Sequence, residues 1–207
     1  MENISISTLI FIGFIDIILA YLIGSIPTGY IIVKIKTSQD IRTIGSGSMG
    51  ATNVKRVLGK KWFFIVMVLD ALKGALPVIL AKIFTNNIDL MGIYPILASV
   101  FVIIGHSKPV FLQFKGGKSV ASGVGTILAL NFFVGLSIAF IWGVITYFTK
   151  YVSVGSIIAL LISPVLMYLF KNPICYSVYC FIAAIYIVYL HRENIKRLIK
   201  NEENKVR

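Results

Sequence analysis

The sequence predicts an all-α integral membrane protein of about seven transmembrane helices. Charged residues make up only 14% of the 207, against about 25% in a soluble globular chain. Hydrophobic residues make up 57%, and the mean hydropathy is +0.89. Apolar runs near the ~20 residues that a bilayer crossing needs recur along the whole chain, with short polar stretches between them.

The first run, residues 6–33, is long enough to tilt and carries Gly24-Ser25-Ile26-Pro27. Gly-Ser suits close helix packing and Pro27 suits a kink. No Lys or Arg precedes Lys34, and Asp16 interrupts the apolar run, so this is read as a retained span and not a cleaved leader. Residues 62–83 and 91–106 give the second and third spans. Residues 119–148 hold Asn131 near their middle and read as two spans, the first short; one tilted helix is the alternative. Residues 152–170 and 174–190 complete the set, separated by Lys171-Asn172-Pro173. Cys175 and Cys180 fit neither a metal spacing nor a disulfide framework and read as small buried apolar residues. Residues 1–207 form one domain with a short basic tail at 191–207.

The charge pattern tests the span count. With seven spans, segments 34–61, 106–118, 149–151 and the tail share one side, and they hold seventeen of the twenty Lys and Arg. The positive-inside rule then places the C-terminus in the cytoplasm and the N-terminus outside. The same rule accounts for the net charge of +12, so no nucleic-acid partner is expected. All polar, glycine-rich or histidine-bearing stretches fall on that inner side, which predicts a site at the inner interface.

The stretch 44–56 reads Ile-Gly-Ser-Gly-Ser-Met-Gly-Ala-Thr-Asn-Val-Lys-Arg. Its glycines match GxGxxG, but a membrane helix precedes it where a dinucleotide fold needs a strand. The local chemistry remains: a loop offering backbone N–H groups and hydroxyls, then a short helix over 51–58 whose N-terminus favours an anion. Val54, Val57 and Leu58 share one face of that helix and leave Arg56 on another. Phe114-Lys115-Gly116-Gly117-Lys118-Ser119 ends like a P-loop, yet Leu112 stands where the first P-loop glycine belongs. His106 suits either a helix cap or a site residue. His191-Arg192-Glu193-Asn194 supplies groups able to move protons and orient a hydroxyl. Asp70 and Lys73, three apart on a helix, are read as neutralising each other inside the bilayer. There is no His followed five positions later by Asp, no metal cluster and no serine elbow. The residues favour phosphate handling, with neither metal nor cofactor. A transporter with a basic inner vestibule is the competing class, but Asp16, Asp70 and Lys73 form no obvious polar path across the bilayer.

Taken together, several stretches resemble the bacterial acyl-phosphate:glycerol-3-phosphate acyltransferases, the PlsY family. They are Gly24-Ser25-Ile26-Pro27, Gly45-Ser46-Gly47 with Gly50-Ala51-Thr52-Asn53, Leu69-Asp70 with Leu72-Lys73-Gly74, and Gly105-His106 with Pro109-Val110-Phe111. Phe114–Lys118, Tyr151-Val152-Ser153 and His191–Ile195 follow in the same order. The resemblance implies a bacterial cytoplasmic membrane enzyme, monomeric and surrounded by membrane lipids. It would transfer an acyl chain from acyl phosphate to the 1-hydroxyl of sn-glycerol 3-phosphate, giving lysophosphatidic acid and phosphate. It assigns catalysis to Ser46, Arg56, Lys118, His191, Glu193 and Asn194. Substrate contacts are expected from Gly45, Gly47, Ser48, Thr52 and Asn53 in the first motif, Lys115, Gly116 and Gly117 in the second, and Ser156 in the third. Glu193 would support His191 and Asn194. Two positions depart from the family pattern: Ser48 stands in place of Asn, and Ser119 in place of Gly. The hydroxyl proton has two acceptors open to it, His191 and a donor phosphate oxygen.

Overall fold

The computed structural model describes residues 6–85 and 92–206. Met91, the expected start of the third span, lies outside them. Regular structure among the described residues is helical. The helices are α1 Ile6–Ser25, α2 Thr28–Thr37, α3 Ala51–Leu58, α4 Lys60–Thr85, α5 Ile93–Ser107, α6 Val120–Leu130, α7 Phe132–Thr149, α8 Val152–Leu169, α9 Ile174–Leu190 and α10 Arg192–Ile199. Among the described residues, five stretches are long and apolar enough to cross a bilayer, and a sixth is counted if α9 and α10, bent by 59° at their junction, are taken as one span. The first of the five, Ile10–Thr37, runs through the α1–α2 break. The expected short fourth span is α6, whose eleven residues reach only about 16 Å at 1.5 Å per residue.

Outward faces stay apolar: Phe11, Phe64, Phe140 and Phe148 are each more than half exposed, as lipid contact requires. Inward faces meet in a core that takes Val78, Val102, Ile127, Ile138, Met167 and Ile187 from six different helices. Backbones approach closely where glycine allows it. A Cβ on Gly24 of α1 would lie 2.5 Å from the Val102 carbonyl oxygen of α5, and one on Gly74 of α4 would lie 2.2 Å from the Ser122 carbonyl oxygen of α6. These are small-residue contacts of the kind that hold membrane helices together, where burial of apolar surface gives little drive.

The segment 119–148 divides at Asn131 for a local reason. Asn131 takes extended backbone, and its side-chain oxygen accepts the Val134 N–H at 3.0 Å, so it caps α7. Its amide donates to Asn172 at 3.0 Å. The last carbonyls of α6, at Ala129 and Leu130, accept from Lys82 Nζ at 3.1 and 3.4 Å.

Pro27 breaks the ladder between α1 and α2. The Ile26 carbonyl accepts from Thr28 N–H at 3.0 Å and from Lys73 Nζ at 2.6 Å. Lys73 in turn pairs with Asp70 at 2.9 Å, both side chains being almost fully buried. The expected neutralisation of Asp70 and Lys73 is therefore present, and the cation also serves a displaced backbone carbonyl. Cys180 is buried and Cys175 partly so.

Candidate active site

The first motif is wound around one side chain. The Asn53 carboxamide oxygen accepts Ser46 N–H at 3.0 Å. Its NH2 donates to the carbonyls of Ile41 at 3.3 Å, Ile44 at 2.9 Å and Ser48 at 2.9 Å. Gly45 has φ +60°, and a Cβ there would lie 2.3 Å from the Asn53 oxygen, so the loop closes only around glycine. The Ser48 hydroxyl accepts Gly50 N–H at 3.3 Å. The loop leads into α3, where Val54 is buried with Val57 and Leu58 packed beside it, and Arg56 is left exposed. That division of faces is the one the sequence predicts.

Arg56 opens onto a cavity of about 440 Å³ that also reaches Ser46, Ser48, Thr52, Asn53, Lys118, Ser156, His191 and Asn194. Beside these polar residues, the lining includes an apolar slot of Phe63 and Met67 from α4, Val124 and Leu128 from α6, and Ala139 and Trp142 from α7. The N-terminal turn of α3, with Gly50, Ala51 and Thr52, also faces the cavity, so its backbone dipole adds to the positive charge there.

The second motif brings Lys118 in by a tight backbone fit. Gly117 N–H donates to the His106 carbonyl at 3.1 Å. A Cβ on Gly117 would lie 2.2 Å from His106 Nε2, and one on Gly116 would lie 2.3 Å from the His106 carbonyl oxygen. The glycine pair thus serves contact with α5; neither glycine borders the cavity, and Lys115 is exposed outside it. His106 is buried at the cavity floor, with Nδ1 3.0 Å from Ser122 Oγ and 4.0 Å from Asp70. Lys118 Nζ donates to the Asn194 side-chain oxygen. Burial, then the Arg197 guanidinium, pushes Lys118 down to about 8, with Glu203 opposing and Arg56 adding to the shift.

The third motif lies at the α9–α10 bend. His191 Nδ1 sits 2.8 Å from the Ile187 carbonyl, so Nδ1 carries the hydrogen and Nε2 keeps a lone pair. Burial lowers His191 to about 4, the Ile187 hydrogen bond opposing and Lys118 adding, which leaves the ring neutral at neutral pH. Ser156 Oγ donates to the Val152 carbonyl at 2.8 Å and accepts from Trp142 Nε1 at 3.3 Å.

Glu193 does not support His191 or Asn194. It is exposed and pairs with Lys196 at 3.1 Å and Arg192 at 3.9 Å, because its position on α10 faces away from the cavity. The carboxylate beside Asn194 belongs to Glu203. It accepts from Asn194 Nδ2 at 2.6 Å, Ser153 Oγ at 2.9 Å and Arg197 Nε at 2.8 Å. Although burial raises it, the hydrogen bonds from Asn194, Arg197 and Ser153 hold Glu203 below the usual carboxylate range. Arg197 had a readable signal, since His191, Asn194 and Arg197 are spaced by three along one helix face. Glu203 had none. Gly45 and Gly47, the latter at φ +68°, shape the first loop without bordering the cavity.

Residues 14–201 match the family model described as glycerol-3-phosphate acyltransferase. This chain belongs to that family. The glycerol-3-phosphate acyltransferase of Endomicrobium trichonymphae is 41% identical over 191 residues, covering 92% of this chain and 94% of that one. The enzyme of the same name from Thermotoga petrophila is 42% identical over 189 residues, covering 91% and 94%. The crystal structure of PlsY, an integral membrane glycerol 3-phosphate acyltransferase, in its glycerol 3-phosphate form superposes with a TM-score of 0.88 at 35% identity, covering 94% of this chain and 96% of that one. The lysophosphatidic acid form gives 0.86 at 34%, covering 94% and 95%. The helical membrane fold is therefore that of the family. Of the two departures, Ser119 takes φ +58° itself, where glycine is unstrained, and its buried hydroxyl donates to the Ile103 carbonyl at 2.9 Å. Ser48 stays at the cavity edge and serves the loop backbone.

Proposed function

We propose that this protein transfers an acyl group from acyl phosphate to the 1-hydroxyl of sn-glycerol 3-phosphate at the inner face of a bacterial cytoplasmic membrane. The observation that carries the reading is one cavity with two chemistries: three cations and several hydroxyls together with an apolar slot. A lipid donor fits both. Its acyl chain lies in the slot, and its phosphate meets Arg56, Lys118 and Ser46. Arg56 suits bidentate contact with phosphate, while Lys118 acts as a point charge. The second cation-binding group, the phosphate of glycerol 3-phosphate, is held near Arg197, Ser153 and Asn194. The glycerol 3-phosphate and lysophosphatidic acid forms of the related PlsY support this assignment of acceptor and product.

In the reaction, the acceptor hydroxyl oxygen bonds to the acyl carbon and the carbon–oxygen bond to phosphate breaks. Phosphate leaves with its electron pair. The neutral His191 accepts a hydrogen bond from the hydroxyl at Nε2 and orients it. Its low proton affinity favours delivery of the proton to the departing phosphate. Acyl phosphates are already activated, so positioning and charge stabilisation supply the remaining acceleration.

The test is conversion of radiolabelled glycerol 3-phosphate to lysophosphatidic acid by purified protein given palmitoyl phosphate, with palmitoyl coenzyme A as the contrasting donor and Arg56→Ala as control. Product with palmitoyl phosphate alone, lost in Arg56→Ala, is expected. Product with the thioester alone would overturn the donor. No product from folded protein, with uptake of labelled glycerol 3-phosphate into vesicles, would overturn the enzyme reading.

A further inference from the structure

The apolar slot stops where one side chain fills a notch in the facing helix. On α6, Val120, Val124 and Leu128 recur at intervals of four and line the cavity, so one stripe of that helix faces it. The stripe begins two residues after Lys118, and α6 rises about 14 Å from Ser119 to Leu128. Beyond the break at Asn131 the chain returns as α7, which lines the slot with Trp142 and, one turn nearer the break, Ala139. The next residue on that face of α7 is Gly135, four positions before Ala139. A Cβ on Gly135 would lie 2.5 Å from Leu128 Cγ and 2.6 Å from its Cα and Cδ2. Leu128 thus occupies the space that this glycine leaves, and the seam between α6 and α7 is shut there. On the other side, α6 meets α4 backbone to backbone at Gly125 and Ala71. Among the described residues, nothing on α4 past Ala71, on α6 past Leu128 or on α7 before Ala139 lines the cavity.

We propose that Leu128, seated on Gly135, is the end-stop that sets the length of acyl chain this protein accepts. The inference rests on the reading that the slot holds the acyl chain of the donor. In that reading the phosphate end of the donor is fixed at Arg56 and Lys118, so the chain is measured from a constant point. The terminal methyl of an accepted chain abuts the Leu128 side chain. A longer chain must buckle or push Leu128 aside, and close-packed side chains yield little. A shorter chain leaves the end of the slot unfilled and forgoes its contacts. Gly135 acts through Leu128: having no side chain, it lets the leucine lie across the seam, where a larger residue would drive it into the slot. Ala139 keeps the bore open one turn earlier. The α4 wall carries less discrimination, because Val68 lines the cavity while 50% exposed, which leaves the closed Leu128 end to do the measuring.

The experiment is an internal competition. Full-length parent, Leu128→Ala, Ala139→Leu and the outward-facing control Phe140→Ala each receive glycerol 3-phosphate with an equimolar mixture of lauroyl, myristoyl, palmitoyl, stearoyl and arachidoyl phosphates. Mass spectrometry resolves the lysophosphatidic acids, and their initial ratios are ratios of kcat/KM. Partitioning of the donors into micelles is common to all the proteins and cancels. Leu128→Ala should raise the next longer product, relative to the one the parent prefers, by about tenfold, the scale on which an apolar pocket judges a methylene. Ala139→Leu blocks the slot one turn earlier and should move the ratio by a similar factor toward shorter products. Phe140→Ala should keep the parent ratios. Ratios within about twofold of the parent in both slot variants would overturn the proposal. A shift in the same direction in both, or an equal shift in Phe140→Ala, would also overturn it, since general loosening of the helices would then suffice. Folding is checked by gel filtration and thermal unfolding. If Leu128→Ala does not fold, Leu128→Val decides: a shift of about threefold toward the longer product is expected for one methylene, and parent ratios overturn the proposal. No lysophosphatidic acid of any length from the folded parent would instead remove the reaction on which the inference stands.

Discussion

Replacing Asn53 by alanine should open the 41–48 loop while leaving the membrane core in place. The side chain makes four hydrogen bonds to the 41–48 loop, one of them fully buried and three partly buried. A typical bond contributes about 1 kcal/mol net, and a buried group left without a partner costs about 1–3 kcal/mol. Water can recover part of the three half-buried contacts, so roughly 3 kcal/mol against the closed loop is the working figure. That corresponds to about 100-fold in the ratio of closed to open loop, and kcat/KM falls with the closed fraction once the loop opens appreciably. The core that joins α4 to α9 does not include Asn53, so the thermal unfolding midpoint should drop by only a few degrees. Asn53→Asp is the sharper variant. It keeps an acceptor for Ser46 N–H but turns the donor side into an oxygen facing three carbonyls. Steady-state kinetics with both substrates and a thermal unfolding curve provide the readouts. Asn53→Asp with kcat/KM within threefold of the parent would refute the idea that the loop is built on the carboxamide.

Three further outcomes are expected. Glu193→Gln should change kcat/KM by less than twofold, since Glu193 is exposed and paired only with Arg192 and Lys196; a loss beyond about tenfold would return it to the site. With Lys118 pushed down to about 8, its charge is present below that pH and lost as pH rises through it. KM for the phosphate substrates should therefore climb above about pH 8, and Lys118→Arg, which stays charged, should flatten that limb. Asp70→Asn would strand the Lys73 ammonium in the membrane interior, costing about 3–5 kcal/mol; thermal unfolding should show it, and Asp70→Asn with Lys73→Met should recover much of the loss.

Much of the fold is legible in the sequence because lipid imposes length and composition on each crossing. The helices fall close to the expected apolar runs, and Asn131 marks the α6–α7 break because a capping side chain and a helix interior are incompatible demands on one residue. Residues such as Arg56, Lys118 and His191 are legible as a set because each pairs unusual polarity with a position at the end of an apolar run. Their division of labour is less so. Asn53, Gly116 and Gly117 look like substrate contacts in one dimension, but the Asn53 carboxamide and the Gly117 N–H are committed to neighbouring backbone, and Gly116 packs against His106. The choice between Glu193 and Glu203 depends on the direction of a helix face and on a reversal at Asn201, where φ is +58°. That reversal is a single backbone conformation, which no periodicity announces.

The brevity of α6 has a consequence for where the chemistry happens. Lys60 and Lys82 on α4 lie about 33 Å apart along the helix, close to the thickness of a hydrocarbon layer. Asp70, at the floor of the cavity, is about 15 Å in from the Lys60 end of the helix. α6 fills only the remaining depth, from Ser119 at that floor to the carbonyls held by Lys82. The cavity lined by Arg56, Lys118 and Asp70 thus reaches well in from the Lys60 end of α4. Under the proposed reaction, a lipid donor would enter such a cavity from within the membrane, while the soluble acceptor would come from the Lys60 end.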